Sequence, residues 1–230
     1  MKLAIVGGGQ LGRQLFKASR CQRMILGTKP QCPAGLEGAE LGYSTDLSAA
    51  AGCDVVAVAI PPAACPQVLE ELCAALPAGT VVLNFPTKWA MPKELYERYP
   101  DLKLLESKLL GSAVGLERGL EGLVVLSQTD PATEQLVKDC MPGLNFTVGA
   151  WDKVPYLNAE ASRAVLTAAV QLEKKLTAEG FPQEEIKTLM GGLMPGILIS
   201  YRNDTLGGFG KEIVRSLKAK GPENRTGPLP

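Results

Sequence analysis

Residues 2–12 read KLAIVGGGQLG, and this stretch decides the fold of the amino-terminal half of the chain. Residues 2–6 are a short apolar run that ends in glycine, which is typical of a buried parallel strand. Residues 7, 9 and 12 are the glycines of a GxGxxG pattern, and a helix is predicted to begin at Gln10. In this setting the first glycine permits a tight turn, the second lets the backbone approach a pyrophosphate, and the third lets the helix pack on the strand.

The stretch predicts a dinucleotide-binding site, because a helix N-terminus offers N–H donors and a positive dipole end to phosphate. An alternative interpretation is a glycine-rich turn in an α/β fold that has lost its ligand. The predicted binding residues are Gly7, Gly8, Gly9, Gln10, Leu11 and Gly12.

The composition excludes several classes of function. The 230 residues include 24 Lys plus Arg and 24 Asp plus Glu, so no overall basic field attracts nucleic acid or an acidic membrane. The chain contains no histidine, which excludes His-ligated metal sites and His-based catalytic pairs, and we expect no metal site. Aromatic residues make up 5% of the chain, too few for a platform that stacks single-stranded nucleic acid.

The cysteine content indicates the compartment. Six cysteines are scattered through predicted helices and strand ends, and none forms a CxxC pair, which favours reduced thiols in a cytoplasmic protein. No apolar run reaches the ~18 residues of a membrane span. The amino-terminal apolar run breaks into glycines too early for a signal peptide, so we expect Met1 to begin the folded domain.

Strands and helices alternate along the first part of the chain, which predicts an α/β fold with a Rossmann-type, mostly parallel sheet covered on both faces. Strands are predicted at residues 2–6, 24–27, 54–60, 80–84, 102–105, 123–127 and 145–148, and helices at 10–21, 67–76, 92–99 and 131–140.

The pattern changes near residue 150, where helical spacing of apolar residues begins at Val154 and is sustained until Gly180. Further helices are predicted from Pro182 and over residues 209–218. We therefore predict a dinucleotide-binding domain at residues 1–150, a small all-helical substrate and dimerisation domain at 151–220, and a disordered tail at 221–230. The apolar stripe predicts a homodimer, because a small appendage cannot bury it alone.

The residues after the second predicted strand bear on the choice of cofactor. NAD-binding folds place Asp or Glu there to bind the ribose 2′-hydroxyl, whereas this chain has Thr28 and Lys29. A hydroxyl and an ammonium suit the 2′-phosphate of NADP. Alternatively, both are ordinary exposed loop residues.

The ends of the middle strands are predicted to border the nicotinamide, because ligands lie beyond the carboxyl ends of parallel strands. Ile60 and Pro61 end one strand and are assigned to cofactor binding. Asn84, Thr87 and Lys88 follow the next strand and are the candidate catalytic residues. Lys88 would pair with a carboxylate or donate a proton; the alternative is a solvated lysine after a turn.

These features together resemble the pyrroline-5-carboxylate reductase family. The resemblance rests on residues 2–12, on Thr28 and Lys29, on AVAIPP at 57–62, and on the unit LVVLSQTDPATEQLVKDCMPGLNFTVGAWDKV at 123–154 that leads into a helical domain. The deazaflavin-dependent NADP reductases are similar over residues 1–90, in the same fingerprint and in the turn that begins at Asn84.

The substrate segments of that family are rewritten here. The family has SGSGPA at the start of its helical domain and PGGTT later, where this chain has YLNAEA at residues 156–161 and DTLGG at 204–208. The resemblance implies the fold, NADP as cofactor and an intertwined dimer of the helical domains.

Two functions follow as expectations. The first is an NADPH-dependent reductase that transfers a hydride to a small C=N or C=O substrate held between the sheet edge and the helical domain. The second is a non-catalytic NADP(H)-binding protein that acts as a sensor or assembly partner, which the missing substrate segments favour.

Overall fold

A computed structural model describes residues 1–219 of the chain. The predicted tail at residues 221–230 lies outside the described residues. The strands of the described chain are β1 Lys2–Val6, β2 Gln22–Leu26, β3 Tyr43–Ser44, β4 Val55–Val58, β5 Val81–Asn84, β6 Lys103–Leu110, β7 Leu123–Leu126 and β8 Asn145–Val148.

The strands form an 8-stranded sheet in the order β3-β2-β1-β4-β5-β6-β7-β8. Neighbouring strands from β3 to β6 are parallel, β7 is antiparallel to β6, and β8 is parallel to β7. The order 3-2-1-4-5-6 is that of a doubly wound dinucleotide-binding sheet, so the predicted fold class is confirmed.

The long strand β6 joins two different sets of partners. Residues 103–106 pair with β5, and residues 107–110 pair with β7. β6 therefore continues beyond the last residue of β5, Asn84, and carries its second half past the carboxyl end of the parallel sheet.

The described residues form nine α-helices, and short 3₁₀ turns occur at residues 47–52, 62–64 and 151–153. The α-helices are α1 Gln10–Ala18, α2 Cys65–Ala75, α3 Lys93–Arg98, α4 Ala113–Glu117, α5 Pro131–Cys140, α6 Val154–Ala178, α7 Gln183–Thr188, α8 Met194–Arg202 and α9 Gly208–Ala219.

Two apolar layers cover the sheet, because alternate residues of each central strand point to opposite faces. One layer packs Leu3 and Ile5 of β1 with residues of α1 and α5. The other packs Ala4 and Val6 with residues of α2 and α3. The four residues of β4 are all fully buried, which explains their continuous apolar run.

Most predicted elements are confirmed, with differences at their ends. α5 and β8 have the predicted bounds, whereas α1 ends at Ala18 because the backbone of Ser19 is extended. β6 extends to Leu110 instead of ending near Leu105. The short β3 and α4 were not predicted.

The chain divides into two compact units, residues 1–161 and the part that begins at Ser162. The second unit contains the rest of α6, then α7, α8 and α9, with a π-helical turn at Leu189–Leu193 between α7 and α8. The π-helical turn contains the adjacent glycines Gly191 and Gly192, and Pro195 follows it in the first turn of α8. None of the helices within residues 1–219 meets the length and apolarity that crossing a membrane requires.

The thiols of Cys21 and Cys140 form a close pair in the first unit. Their sulfur atoms are 3.5 Å apart, and the Cys21 thiol also donates to the Cys140 carbonyl. The hydrogen bond from Cys140 lowers the pKa of Cys21 to about 7, whereas burial raises the pKa of Cys53 and Cys73. Cys21 is therefore the most acidic of these thiols.

We expect iodoacetamide to alkylate Cys21 before the other cysteines, at a rate that rises through about pH 7, because the thiolate is the nucleophile. Peptide mass spectrometry of the native protein would give the rate for each cysteine. Cys140→Ala should slow the labelling of Cys21 by removing the hydrogen bond. Faster labelling of the half-buried Cys32, whose pKa is raised by desolvation, would contradict this order.

Candidate functional site

The carboxyl ends of β1, β2 and β4 meet at one edge of the sheet. The N–H of Gly7 donates to the carbonyl of Leu26 at 2.8 Å, which joins the ends of β1 and β2. The N–H of Ala59 donates to the carbonyl of Val6 at 2.8 Å, which joins β4 to β1. A Cβ at Gly7 would lie 3.0 Å from Ile60 Cγ2, so the structure brings Ile60 beside the glycine fingerprint.

Two of the fingerprint glycines are required by the fold. Gly7 has a φ of +112°, and a Cβ there would lie 2.4 Å from the carbonyl oxygen of Ala59. A Cβ at Gly12 would lie 1.9 Å from the carbonyl oxygen of Gly7, so only glycine lets α1 pack this closely on the end of β1. Both observations agree with the roles that the spacing predicts.

Gly9 differs from these two glycines. A Cβ at Gly9 would meet no atom within 4 Å, and its φ of −74° is accessible to any residue. The fold does not need glycine here, so the open space beside its backbone is available to a ligand.

The N-terminus of α1 begins at this open position. Gly9 is its N-cap and supplies no side-chain hydrogen bond, and the first turn contains no acidic residue. The leading N–H groups and the positive dipole end are thus free of competition from a carboxylate. These features fit the pyrophosphate of a dinucleotide.

The segment after β2 folds back onto the fingerprint. Leu36 is fully buried in the same apolar layer as β1, and a Cβ at Gly8 would lie 2.4 Å from Pro33 Cγ. Thr28 and Lys29 follow β2 with exposed side chains. The turn that carries them thus lies at the same sheet edge as the fingerprint.

Asn84 ends β5 and is fully buried. Its Nδ2 donates to Glu106 Oε2 at 2.9 Å and to the Trp89 carbonyl at 3.2 Å. Its Oδ1 is enclosed and has no hydrogen-bond partner within residues 1–219. Glu106 also accepts from the Met91 N–H at 2.5 Å, so its carboxylate holds both ends of the turn after β5.

Lys108 completes this buried network from the part of β6 that extends beyond β5. Its Nζ lies 2.6 Å from Glu106 Oε2, and both side chains are 1% exposed. The same ammonium donates to the carbonyls of Asn84, Pro86 and Trp89 at 3.1, 2.8 and 2.8 Å. One buried cation therefore fixes three carbonyls of the turn at residues 84–89.

The surroundings of Lys108 act on its charge in opposite directions. Burial lowers the pKa of Lys108, while the hydrogen bond and the charge of Glu106 oppose that shift. The Trp151 ring lies 5.9 Å from Nζ and presents a further favourable contact to the cation. The charge of the buried ammonium is thus stabilised by Glu106, by backbone carbonyls and by the Trp151 ring, and not by water.

The predicted residues Thr87 and Lys88 lie on the turn that this network holds. Thr87 is half-buried and Lys88 is exposed. The structure therefore brings Asn84, Thr87 and Lys88 together on one short turn, with Asn84 facing inward and Lys88 facing solvent. Pro61, after β4, is also exposed.

Asn158 occupies the segment where the sequence departs from the resembled family. Its Nδ2 donates to the Leu109 carbonyl at 2.8 Å, and its Oδ1 accepts from the Gly111 N–H at 3.2 Å. The Asn158 amide thus binds the end of β6.

Glu106 and Lys108 are functional residues to which the sequence alone assigned no role. A signal was present, because LLESKLL places two opposite charges at alternate positions of an apolar strand, where both point to one face. Burying either charge alone is costly, so two opposite charges on one face of a buried strand are expected to form an ion pair. No cluster of three side chains suited to a metal ion occurs in the part of the chain that the structure describes.

The amino-terminal part of the chain matches a known family. Residues 2–85 match the sequence model of the family described as NADP oxidoreductase coenzyme F420-dependent. The match ends one residue after β5 and contains the fingerprint, Thr28, Lys29, Ile60 and Asn84. No curated protein sequence is significantly similar to the chain.

Solved structures share the fold over most of the chain. A pyrroline-5-carboxylate reductase from Coxiella burnetii has a TM-score of 0.69 at 14% identity, covering 95% of this chain and 90% of that one. Plasmodium falciparum pyrroline carboxylate reductase with NADP bound has a TM-score of 0.65 at 14% identity, covering 96% and 90%. A semialdehyde dehydrogenase NAD-binding protein from Cupriavidus necator, in complex with calcium and NAD, has a TM-score of 0.65 at 18% identity, covering 96% of this chain and 90% of that one.

The sheet order, the open position at Gly9 and the family match agree on the kind of domain present. The fold is the one found in pyrroline-5-carboxylate reductases, as the resemblance implied. Residues 2–85 thus have an NAD(P)-binding Rossmann fold and are similar to the F420-dependent NADP oxidoreductases.

Proposed function

We propose that the protein is an NADPH-dependent reductase that acts on a small C=N or C=O substrate. The observation that carries the proposal is the open, uncapped N-terminus of α1 at Gly9, next to a β2 end that bears Thr28 and Lys29 instead of a carboxylate. When bound, NADPH supplies the hydride. Gly9 and α1 would hold its pyrophosphate, Lys29 its 2′-phosphate, and Ile60 and Pro61 would line the same edge.

The turn at residues 84–89 would orient the substrate. Lys88 and Thr87 offer an ammonium and a hydroxyl at the carboxyl end of β5, and either is a proton donor for the reduced product. Glu106 and Lys108 hold this turn in place.

Direct measurement tests the proposal. Calorimetry should show tighter binding of NADPH than of NADH, and NADPH absorbance should decay steadily with cyclic imine or 2-keto acid substrates. Equal binding of both nucleotides, or binding of neither, would contradict the assigned cofactor.

Lys88→Ala should leave NADPH affinity within about twofold and lower turnover at least about tenfold, because a positioned proton donor would be lost. Stopped assays with the best imine or keto substrate would measure this. Lys93→Ala is the matched control, since Lys93 is an exposed lysine paired with Glu97 on α3. Equal turnover of both variants would remove Lys88 from the mechanism.

A second candidate function is a non-catalytic NADP(H)-binding protein. Asn158 favours it, because its amide binds Leu109 and Gly111 in the segment where the reductase family has SGSGPA. Tight NADPH binding without turnover of any imine or keto compound would support this function over the first.

We also propose that the active form is a homodimer joined through its helical units. Within described residues 162–219 only Ile186 is buried, so this unit has almost no core of its own. α8 and α9 enclose an open apolar groove of ≈ 880 Å³, lined by Leu193, Ile197, Tyr201, Phe209, Ile213 and Leu217. Phe209 is 79% exposed there. A second copy would cover these residues.

The free thiols fit a cytoplasmic location.

Ile197→Asp should convert the dimer to a monomer, because it places a charge in the groove that the second copy would cover. Light scattering at micromolar concentration measures the mass. Lys211→Asp adds a carboxylate to the same unit outside the groove and should leave the dimer intact. A monomeric unmodified protein would contradict the dimer.

A further inference from the structure

Tyr43 braces the turn that follows β2. It lies on β3, which pairs with β2 through Ile25 and Tyr43. A Cβ at Gly27 would lie 2.6 Å from the Tyr43 hydroxyl oxygen and 3.1 and 3.3 Å from two of its ring carbons. The Tyr43 ring therefore occupies the space into which a side chain at position 27 would project.

The hydroxyl of Tyr43 also fixes the backbone beyond this contact. It donates to the carbonyl oxygen of Lys29 at 2.5 Å, two residues beyond Gly27. The side chains of Thr28 and Lys29 are exposed, so their direction depends on how firmly the backbone beneath them is held. The Tyr43 hydroxyl supplies that hold from a neighbouring strand.

Position 27 corresponds to the place where NAD-binding folds carry the carboxylate that binds the ribose. A carboxylate that binds a ribose 2′-hydroxyl lies ~20 residues after the fingerprint, directly after the second strand. In this chain any side chain at position 27, a carboxylate included, would require the Tyr43 ring to move.

We propose that Tyr43 is a specificity-determining residue for the nucleotide. Its ring excludes an NAD-type carboxylate at position 27, and its hydroxyl positions Lys29 toward the 2′-phosphate of NADP. The inference rests on the proposed function.

The hydroxyl is tested by a double-mutant cycle of Tyr43→Phe and Lys29→Ala, with calorimetric dissociation constants for NADPH and NADH. Tyr43→Phe keeps the ring and should weaken NADPH binding about fivefold, the scale of one hydrogen bond, while NADH binding stays within about twofold. In the Lys29→Ala background, Tyr43→Phe should change NADPH binding less than about twofold.

The ring is tested by Gly27→Asp. Alone, this variant should melt at a lower temperature than the wild type, and Tyr43→Ser should restore part of the loss by opening the space. The double variant should prefer NADH to NADPH. A Gly27→Asp protein with the wild-type Tm and nucleotide preference would overturn the role of the ring.

The outcomes separate this inference from the proposed function. A wild-type protein without NADPH preference overturns both. A wild-type preference for NADPH that Tyr43→Phe leaves unchanged, or an equal loss for both nucleotides, overturns the role of the Tyr43 hydroxyl and leaves the proposed function standing.

Discussion

Replacing Lys108 by Met should lower the free energy of unfolding by about 3–5 kcal/mol, because it leaves a buried carboxylate without its cation. Lys108 and Glu106 are both 1% exposed, so water cannot replace the lost partner. The carbonyls of Asn84, Pro86 and Trp89 also lose a shared donor. Urea unfolding followed by circular dichroism measures the change.

Lys103→Met is the matched control on the same strand. Lys103 pairs with Asp130 at 3.2 Å, but both side chains are well exposed, so we expect a loss of no more than about 1 kcal/mol. Glu106→Gln combined with Lys108→Met removes both charges and should recover part of the stability. A loss below about 1 kcal/mol for Lys108→Met alone would show that the pair does not hold the turn.

Gly9→Val should weaken NADPH binding at least about thirtyfold, roughly 2 kcal/mol, and leave the protein folded. The space beside Gly9 is open and its φ is negative, so the valine causes no clash within the protein and instead fills the predicted pyrophosphate site. Calorimetry gives the affinity, and thermal unfolding gives the Tm.

Gly12→Ala is the contrasting variant, because its Cβ would lie 1.9 Å from the Gly7 carbonyl oxygen. We expect a clearly lower Tm for Gly12→Ala and an unchanged Tm for Gly9→Val. If a folded Gly9→Val protein bound NADPH with wild-type affinity, the assignment of the nucleotide site to the fingerprint would be contradicted.

The sheet was predictable because its central strands are buried on both faces. Val55–Val58 and the first three residues of β5 are apolar, mostly β-branched runs, and such runs have few alternative structures. The beginning of α5 was predictable, since Asp130 caps it and Pro131 occupies its first position.

The antiparallel direction of β7 was not predictable from its own residues. LVVL is compatible with either direction, and only its pairing with residues 107–110 of β6 decides between them. The two-residue β3 carries too little pattern to distinguish it from a loop. Tyr43 was missed for this reason, although it shapes the end of β2.

The candidate site was predictable where the chemistry is local. The fingerprint glycines have positions that a motif describes, whereas the network around Asn84 depends on Glu106 and Lys108, more than twenty residues further along the chain. Asn84 is a candidate catalytic residue from the sequence, and the structure adds that its Nδ2 donates to Glu106 Oε2.

The divided pairing of β6 has a consequence for local opening of the fold. Residues 103–106 pair with β5 and residues 107–110 pair with β7. β7 and β8 can therefore separate from the sheet without breaking the pairing between β5 and β6. We expect such a segment to open as a cooperative unit of its own, below the free energy of global unfolding. In native-state hydrogen exchange, the amides of β7 and β8 should therefore form a faster, shared class, while those of β1, β4 and β5 exchange only through complete unfolding.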